Sequence, residues 1–354
     1  MTETTLKAPF VWFGGKSLCS PEVWQSLGDV ENYVEPFAGS LAVLLGRPTA
    51  PRTETVNDLD HYIVNFWRAL QHDPQAVAHY ANNPVNEADL TARHIWLVNT
   101  GRERIARTLG DPDYYDAQVA GWWVWGINCW IGSGWCTGDG PWGAVDGKLT
   151  RIGRGGVSKE RIHLGDAGRG VNRQLIHLGD AGMGVNRQLI HLGDAGMGVN
   201  TGEAEILAYL DTLAARLRYV RVCCGDWQRV VTPGALSYGN TVGIFLDPPY
   251  NTDLRDGTLY ASDKEHGHVS AAVREWALAN GDNPRYRIVL AGYADEHTLP
   301  GWRQIRYTAR RAYGTNGNGN SANNHNRTQE TLWLSPGCVD ATPAQAALFP
   351  EAQE

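Results

Sequence analysis

Residues 243–250 read Gly-Ile-Phe-Leu-Asp-Pro-Pro-Tyr. The run Gly243 to Leu246 has no polar face, so it predicts a strand covered on both sides, as in the parallel sheet of an α/β fold. Pro248 and Pro249 then stop the ladder and stiffen the backbone. Asp247 and Tyr250 are left at the carboxyl end of that strand. Open α/β sheets bind their ligands at that edge. The plain alternative is a tight turn with both side chains solvated.

Other segments repeat the strand-then-helix rhythm. "NYVEPFAGSLAVLL" reads as a strand through Val34, a bend at Pro36 and Gly39, and an apolar helix over Leu41 to Leu45. "TETVNDLD" is a second strand ending in acids, and the helical "HYIVNFWRALQ" follows it. This alternation predicts parallel strands. Residues 74–120 read as mainly helical, and the α/β pattern resumes with the amphipathic "AEILAYLDTLAARLRYV". Strands are expected at "VRVCCGDW" and "RYRIVLAGY", a helix around "SAAVREWALAN", and a closing pair at "WRQIRYTARRAYG" and "TQETLWLS". The Gly/Asn-rich "TNGNGNSANNHN" lies between that pair, and a flexible tail is expected over 336–354.

Composition narrows the function classes. The chain has 354 residues and a formal net charge of -7, which argues against a non-specific polyanion binder but leaves room for a local basic face. There are 14 Trp against 6 Phe, and such amphipathic rings suit stacking surfaces as well as cores. None of the 6 Cys forms a CxxC pair, so no metal site is expected. "MTETTLKAPF" lacks the apolar segment of a secretion signal, and "AGWWVWGINCWIG" is too short and interrupted to span a bilayer. A cytoplasmic protein without a membrane partner is the expectation.

Four strand ends carry groups suited to a nucleoside-like ligand. Glu35, Phe37, Ala38 and Gly39 form a turn that opens a helix and can offer amides to a ligand. Asp58, about 20 residues on, sits where an acid typically bonds ribose hydroxyls. Asp226 beside Trp227, and Asp247, end two further strands. Helix capping explains Glu35 and Asp58 equally well, and Asp226 alone suits a turn. No GxxxxGK[ST] is present, which counts against ATP, and no GxGxxG, which counts against a dehydrogenase. "FGGKSL" supplies a glycine turn from which Lys16 can reach an anionic group.

"VWFGGKS", "VEPFAGSLAVL", "VNDLD" and "LDPPY" occur in the order and rough spacing of the Dam-like DNA adenine methyltransferases, which the chain resembles over most of residues 8–335. "INCWIGSGW...GPWG" and the late "RRAYG...R...E.LW" are similar to further segments of that family. The resemblance implies a Rossmann-like α/β domain with a mixed, mainly parallel sheet and an inserted target recognition region. It implies S-adenosylmethionine as cofactor and double-stranded DNA as partner, in a phage or bacterial setting. It places Trp12 and Lys16 at the methionine end of the cofactor, Phe37, Ala38 and Gly39 in the cofactor loop, and Asp58 on the ribose. Asp226, with Trp227 beside it, would lie by the cofactor's adenine. Asp247, Pro248, Pro249 and Tyr250 would hold a flipped target adenine. The chain departs from the family at Leu41, where a further glycine is common, and in its Trp-rich block.

A third departure is an internal repeat at 162–200 with a period of 14, carrying "IHLGDAG" in each copy. It occupies the region where target recognition is expected. Arg173 and Arg187 recur in phase, and Arg151, Arg154, Lys159 and Arg161 precede them, so a phosphate-contacting arm is one reading. A surface insertion of drifting copy number is the other. Arg310 and Arg311 offer a second basic patch. The expected organisation is a discontinuous catalytic domain, 1–109 and 206–335, around an insertion at 110–205. The expected activity is site-specific methylation of DNA adenine. The rival readings are a catalytically silent DNA-binding or anti-restriction protein of the same fold, and an RNA adenine methyltransferase.

Overall fold

The computed structural model describes residues 6–10, 12, 16–109, 111, 113–130, 135–136, 142–145, 148–151, 203–249, 263–294, 296–307 and 330–340. Tyr250, Arg154, Lys159, Arg161, Arg173, Arg187, Arg310, Arg311 and the repeats lie outside them. Arg151 lies within them by its backbone alone.

The chain begins with α1 (Ser20–Leu27), β1 (Asn32–Glu35), the short α2 (Ala42–Leu45), β2 (Thr53–Asp58) and α3 (His61–His72). A helical run follows: α4 (Pro74–Ala81), α5 (Glu87–Trp96), one π-turn over Leu97–Gly101, α6 (Arg102–Ile105) and α7 (Ala117–Cys129). A separate antiparallel hairpin pairs β3 (Trp142–Val145) with β4 (Lys148–Arg151). Then come α8 (Glu203–Leu217), β5 (Arg221–Cys224), β6 (Val242–Leu246), α9 (Asp263–Asn280), β7 (Tyr286–Tyr293), β8 (Arg303–Tyr307) and β9 (Glu330–Leu334).

Seven strands form one sheet in the order β5-β2-β1-β6-β7-β9-β8. Pairings from β5 through β7 are parallel, and β9 runs antiparallel between β7 and β8. This is a Rossmann-like methyltransferase sheet, mixed and mainly parallel. The chain winds outward from β1 to β2 and β5, then jumps back across β1 to β6. The order therefore reverses between β1 and β6, and loops leaving a sheet at such a point splay apart to form a crevice.

The strands are apolar on both faces because helices cover both. All five residues of β6 are buried, as the unbroken run in the sequence requires. On α3, Ile63, Phe66, Trp67 and Leu70 recur at helical spacing and are all buried. Asp60 caps α3 by accepting from Tyr62 N at 2.8 Å, and Asp116 caps α7 by accepting from Val119 N at 2.9 Å.

Several expectations change against the structure. The helix expected from Leu41 is a single turn starting at Ala42, because Leu41 is left-handed with φ 58°. Within the Trp-rich block, Trp123 and Trp125 are fully buried, Trp130 and Trp135 are buried, and Phe10 meets Trp123 edge-to-face at 5.0 Å. Trp135 crosses α7 at Gly126, where a Cβ would fall 1.8 Å from the indole. So α7, which lies in the segment expected as an insertion, is part of the sheet's helical cover. The tail stays docked to Asp340 rather than fraying from Pro336: Val339 N bonds Ser26 O at 2.9 Å, and Cys338 is buried.

Candidate active site

The turn after β1 is held open by the end of β2. Gly39 takes φ 47°, and its N–H donates to Asp58 Oδ2 at 2.9 Å. A Cβ on Gly39 would sit 2.7 Å from Trp12 Cδ1, so the indole can lie over the turn only because no side chain is there. Below it, Trp67 Nε1 donates to Gly39 O at 3.1 Å. Asn57, buried on β2, donates to Pro36 O at 3.0 Å and Gly225 O at 2.9 Å. One amide thus ties the loops after β1 and β5 to the strand between them. Leu41 keeps its left-handed conformation because its side chain is fully buried in the core beneath. Burial there offsets a strain of about 1–2 kcal/mol.

Asp58 is half-buried, and its second oxygen accepts from Asp60 N at 2.9 Å. Burial pushes its carboxyl up to about 6, against the pull of these backbone amides. Leu59 follows it, 70% exposed, an apolar side chain presented beside the acid. Across the crevice Phe37 stacks on Trp227, centroids 6.2 Å apart.

The second half of the site is centred on Lys16. This side chain is buried, 5% exposed, with Nζ 3.2 Å from Asp247 Oδ1 and 3.1 Å from Glu330 Oε2. Burial works against its charge, but the carboxylates of Asp247 and then Glu330 outweigh that and hold the ammonium above its ordinary range. Asp247 is 19% exposed and faces the crevice mouth, ahead of buried Pro248. The Tyr307 hydroxyl donates to Glu330 Oε2. Cys19, buried alongside, has its thiol pushed up to about 12, chiefly by burial. Glu35 lies under the β1 turn, accepting from the Tyr33 hydroxyl at 3.0 Å and from the Leu44 amide. Burial, with help from the Asp247 charge, pushes its carboxyl up to about 8. It is therefore mainly neutral at pH 7.

The structure thus brings Trp12, Gly39 and Asp58 together, Phe37 with Trp227, and Lys16 with Asp247. Ala38 supports the same turn, its N–H bonding Asn57 O at 2.8 Å. Glu35 supports it from beneath. Asp226 is exposed and accepts from Gln228 N at 2.8 Å, capping the turn at Trp227–Val230. Lys16 does reach anionic groups, and they are carboxylates of this chain. Four site residues were not singled out from the sequence: Asn57, Leu59, Tyr307 and Glu330. A lone acid in the otherwise apolar "ETLWL" was the visible trace of the last.

The D12 class N6 adenine-specific DNA methyltransferase family matches residues 12–103. The matched segment holds Trp12, Lys16, the Glu35–Gly39 turn and Asp58, and it ends well before Asp247. A comparison with curated proteins finds no match. The reaction of the matched family is N6 methylation of adenine in DNA. Among the described residues, no helix is long and apolar enough to cross a membrane.

Proposed function

We propose that this protein transfers a methyl group from S-adenosylmethionine to the exocyclic amino group of a flipped adenine in double-stranded DNA. The observation that carries the reading is that two clusters stand at the carboxyl ends of the neighbouring strands β2, β1 and β6: the Trp12–Gly39–Asp58 cradle and the Lys16–Asp247 pair.

The residues present fit the cofactor. Gly39 lets the Trp12 indole lie against the turn, Leu59 offers an exposed apolar face, and Asp58 has lone pairs to spare for ribose hydroxyls. Asp247 and Glu330 together exceed the charge of Lys16 by one, which favours a cationic sulfonium nearby. When bound, S-adenosylmethionine supplies an already activated methyl group, so positioning provides much of the rate.

The chain's own work falls on the adenine amine. That nitrogen is a weak nucleophile because its lone pair is delocalised into the ring. The Asp247 carboxylate and the Pro248 carbonyl can each accept one of its hydrogens, which favours a pyramidal, more nucleophilic nitrogen. Pro249 keeps that carbonyl from swinging away. Tyr250, outside the described residues, supplies a stacking face for the base. Arg151, Arg154, Lys159, Arg161, Arg173, Arg187, Arg310 and Arg311 are the candidate phosphate contacts.

The test is transfer of labelled methyl to unmethylated duplex DNA, followed by digestion to nucleosides and mass detection. N6-methyladenosine from wild type and none from Asp247→Ala, with DNA binding retained, supports the reading. No label from wild type in duplex DNA, while cofactor is bound, overturns it. Label in RNA alone would give the substrate as RNA instead.

A further inference from the structure

Glu330 and Tyr307 are polar groups of the site to which the proposed reaction gives no task beyond Glu330's share of the local charge. Both come from the antiparallel end of the sheet. Because β9 runs against its neighbours, its first residue lies at the carboxyl edge of the parallel strands, and Glu330 registers with both Tyr293 and Tyr307. The next four residues, Thr331 to Leu334, are buried. An apolar residue would suit that position as well, since a buried carboxylate carries a desolvation cost of several kcal/mol unless paired. Here it is paired: Oε2 accepts from Lys16 Nζ at 3.1 Å and from the Tyr307 hydroxyl.

Lys16 therefore stands between two carboxylates at nearly equal distance, 3.2 Å to Asp247 and 3.1 Å to Glu330. Asp247 faces the crevice, whereas Glu330 is closed off. With Asp247 alone, a buried ammonium would hold that carboxylate tightly, and any incoming amine would have to compete with a full ion pair. Glu330 divides the ammonium's charge. Glu35 cannot replace it, since its carboxyl is kept mainly neutral at pH 7 by burial.

We propose that Glu330 is a positioning residue for methyl transfer, sharing the Lys16 ammonium with Asp247, with Tyr307 holding it in place, so that the Asp247 carboxylate can accept the adenine amine. This rests on the function proposed above. Tyr307 acts through Glu330, fixing the carboxylate rotamer by donating to the oxygen that faces Lys16. Neither side chain needs to touch substrate.

The experiment compares wild type, Glu330→Gln, Tyr307→Phe and the double variant in methyl transfer to duplex DNA. Glu330→Gln is expected to lower kcat roughly 10²-fold, the loss that a misplacement near 1 Å brings. KM for DNA should stay at the wild-type value, while KM for S-adenosylmethionine should rise, since the variant loses the extra carboxylate charge. Tyr307→Phe should lose less, and the double variant should lose no more than Glu330→Gln, since both act through one contact. In protein with 15N-labelled lysine, the Lys16 ammonium signal should shift in Glu330→Gln without any substrate present. Full kcat in Glu330→Gln beside an active wild type overturns this inference alone. So does a loss appearing wholly in KM, or an unshifted Lys16 signal. A wild type that methylates no DNA overturns the function and this inference together.

Discussion

Strand β2 carries Glu54 near one end of the sheet and Asp58 at the other, and the two acids have opposite surroundings. Glu54 is buried in a closed network. Arg216 grips it with two nitrogens at 2.6 and 2.9 Å, and Arg47 adds a third contact at 3.1 Å. The remaining donors of Arg47 go to Thr49 Oγ1, Asp29 Oδ1 and Val30 O. Arg52 also meets Asp29, at 2.6 Å, so three guanidiniums surround the two carboxylates and both acids are fully engaged. At the carboxyl edge the balance differs. Lys16 meets both Asp247 and Glu330, and Asp58 and Leu59 stand partly open. Acids fully engaged by guanidiniums are scaffold. An excess of carboxylate beside an open apolar face is a place for a cationic ligand.

The sharpest attack on this contrast is Glu54→Gln. It leaves two arginines without their shared carboxylate and is expected to cost about 3–5 kcal/mol, measured as unfolding free energy in urea. A cost below about 1 kcal/mol, the range of exposed pairs, would mean that the network is not structural.

Gly39→Ala comes next. A Cβ at φ 47° and 2.7 Å from Trp12 should strain the turn by about 1–3 kcal/mol and weaken S-adenosylmethionine binding by calorimetry. Unchanged affinity would remove the cradle from the site.

Glu35 supplies a pH test. Its folded-state carboxyl, near 8, lies above the ordinary 4.5, so the fold binds the proton more tightly than the unfolded chain. Stability should therefore fall as pH rises between those values, by at most about 1.4 kcal/mol per pH unit. Glu35→Gln should flatten that slope in urea unfolding across pH. An unaltered slope would place the titration elsewhere.

The smallest effect is a difference between two variants. Leu41→Ala should cost about 2–5 kcal/mol through the lost buried side chain. Leu41→Gly should cost about 1 kcal/mol less, since glycine takes φ 58° without strain. Alanine better than glycine would contradict the left-handed turn.

What the sequence made legible was local. The strand ends at Glu35, Asp58 and Asp247 could be read because each is a few consecutive residues: an apolar run, a turn former and an acid. Glu330 and Tyr307 stayed hidden because their place depends on the register of β8 and β9, whose ends are separated by a long intervening segment. Asn57 was hidden for a related reason, since it ties loops distant in sequence. The role of the tryptophans stayed open because composition cannot separate a ring that stacks on a ligand from one that fills a core. Only the packing of α7 against α3 and α4 decides it. Asp226, read either as a turn residue or as a cofactor contact, caps the turn at Trp227–Val230.

The central claim is that the open, acid-rich cluster does chemistry and the closed arginine network does not. The direct measurement is the initial rate of labelled methyl transfer to unmethylated duplex DNA by wild type, Asp247→Asn and Glu54→Gln, at a temperature where all three are folded. The predicted result is a rate lowered roughly 10²- to 10³-fold in Asp247→Asn, the loss seen when one preorganised hydrogen-bonding group is removed. Glu54→Gln should run at the wild-type rate. A wild-type rate from Asp247→Asn, or an equal loss in both variants, would contradict the account.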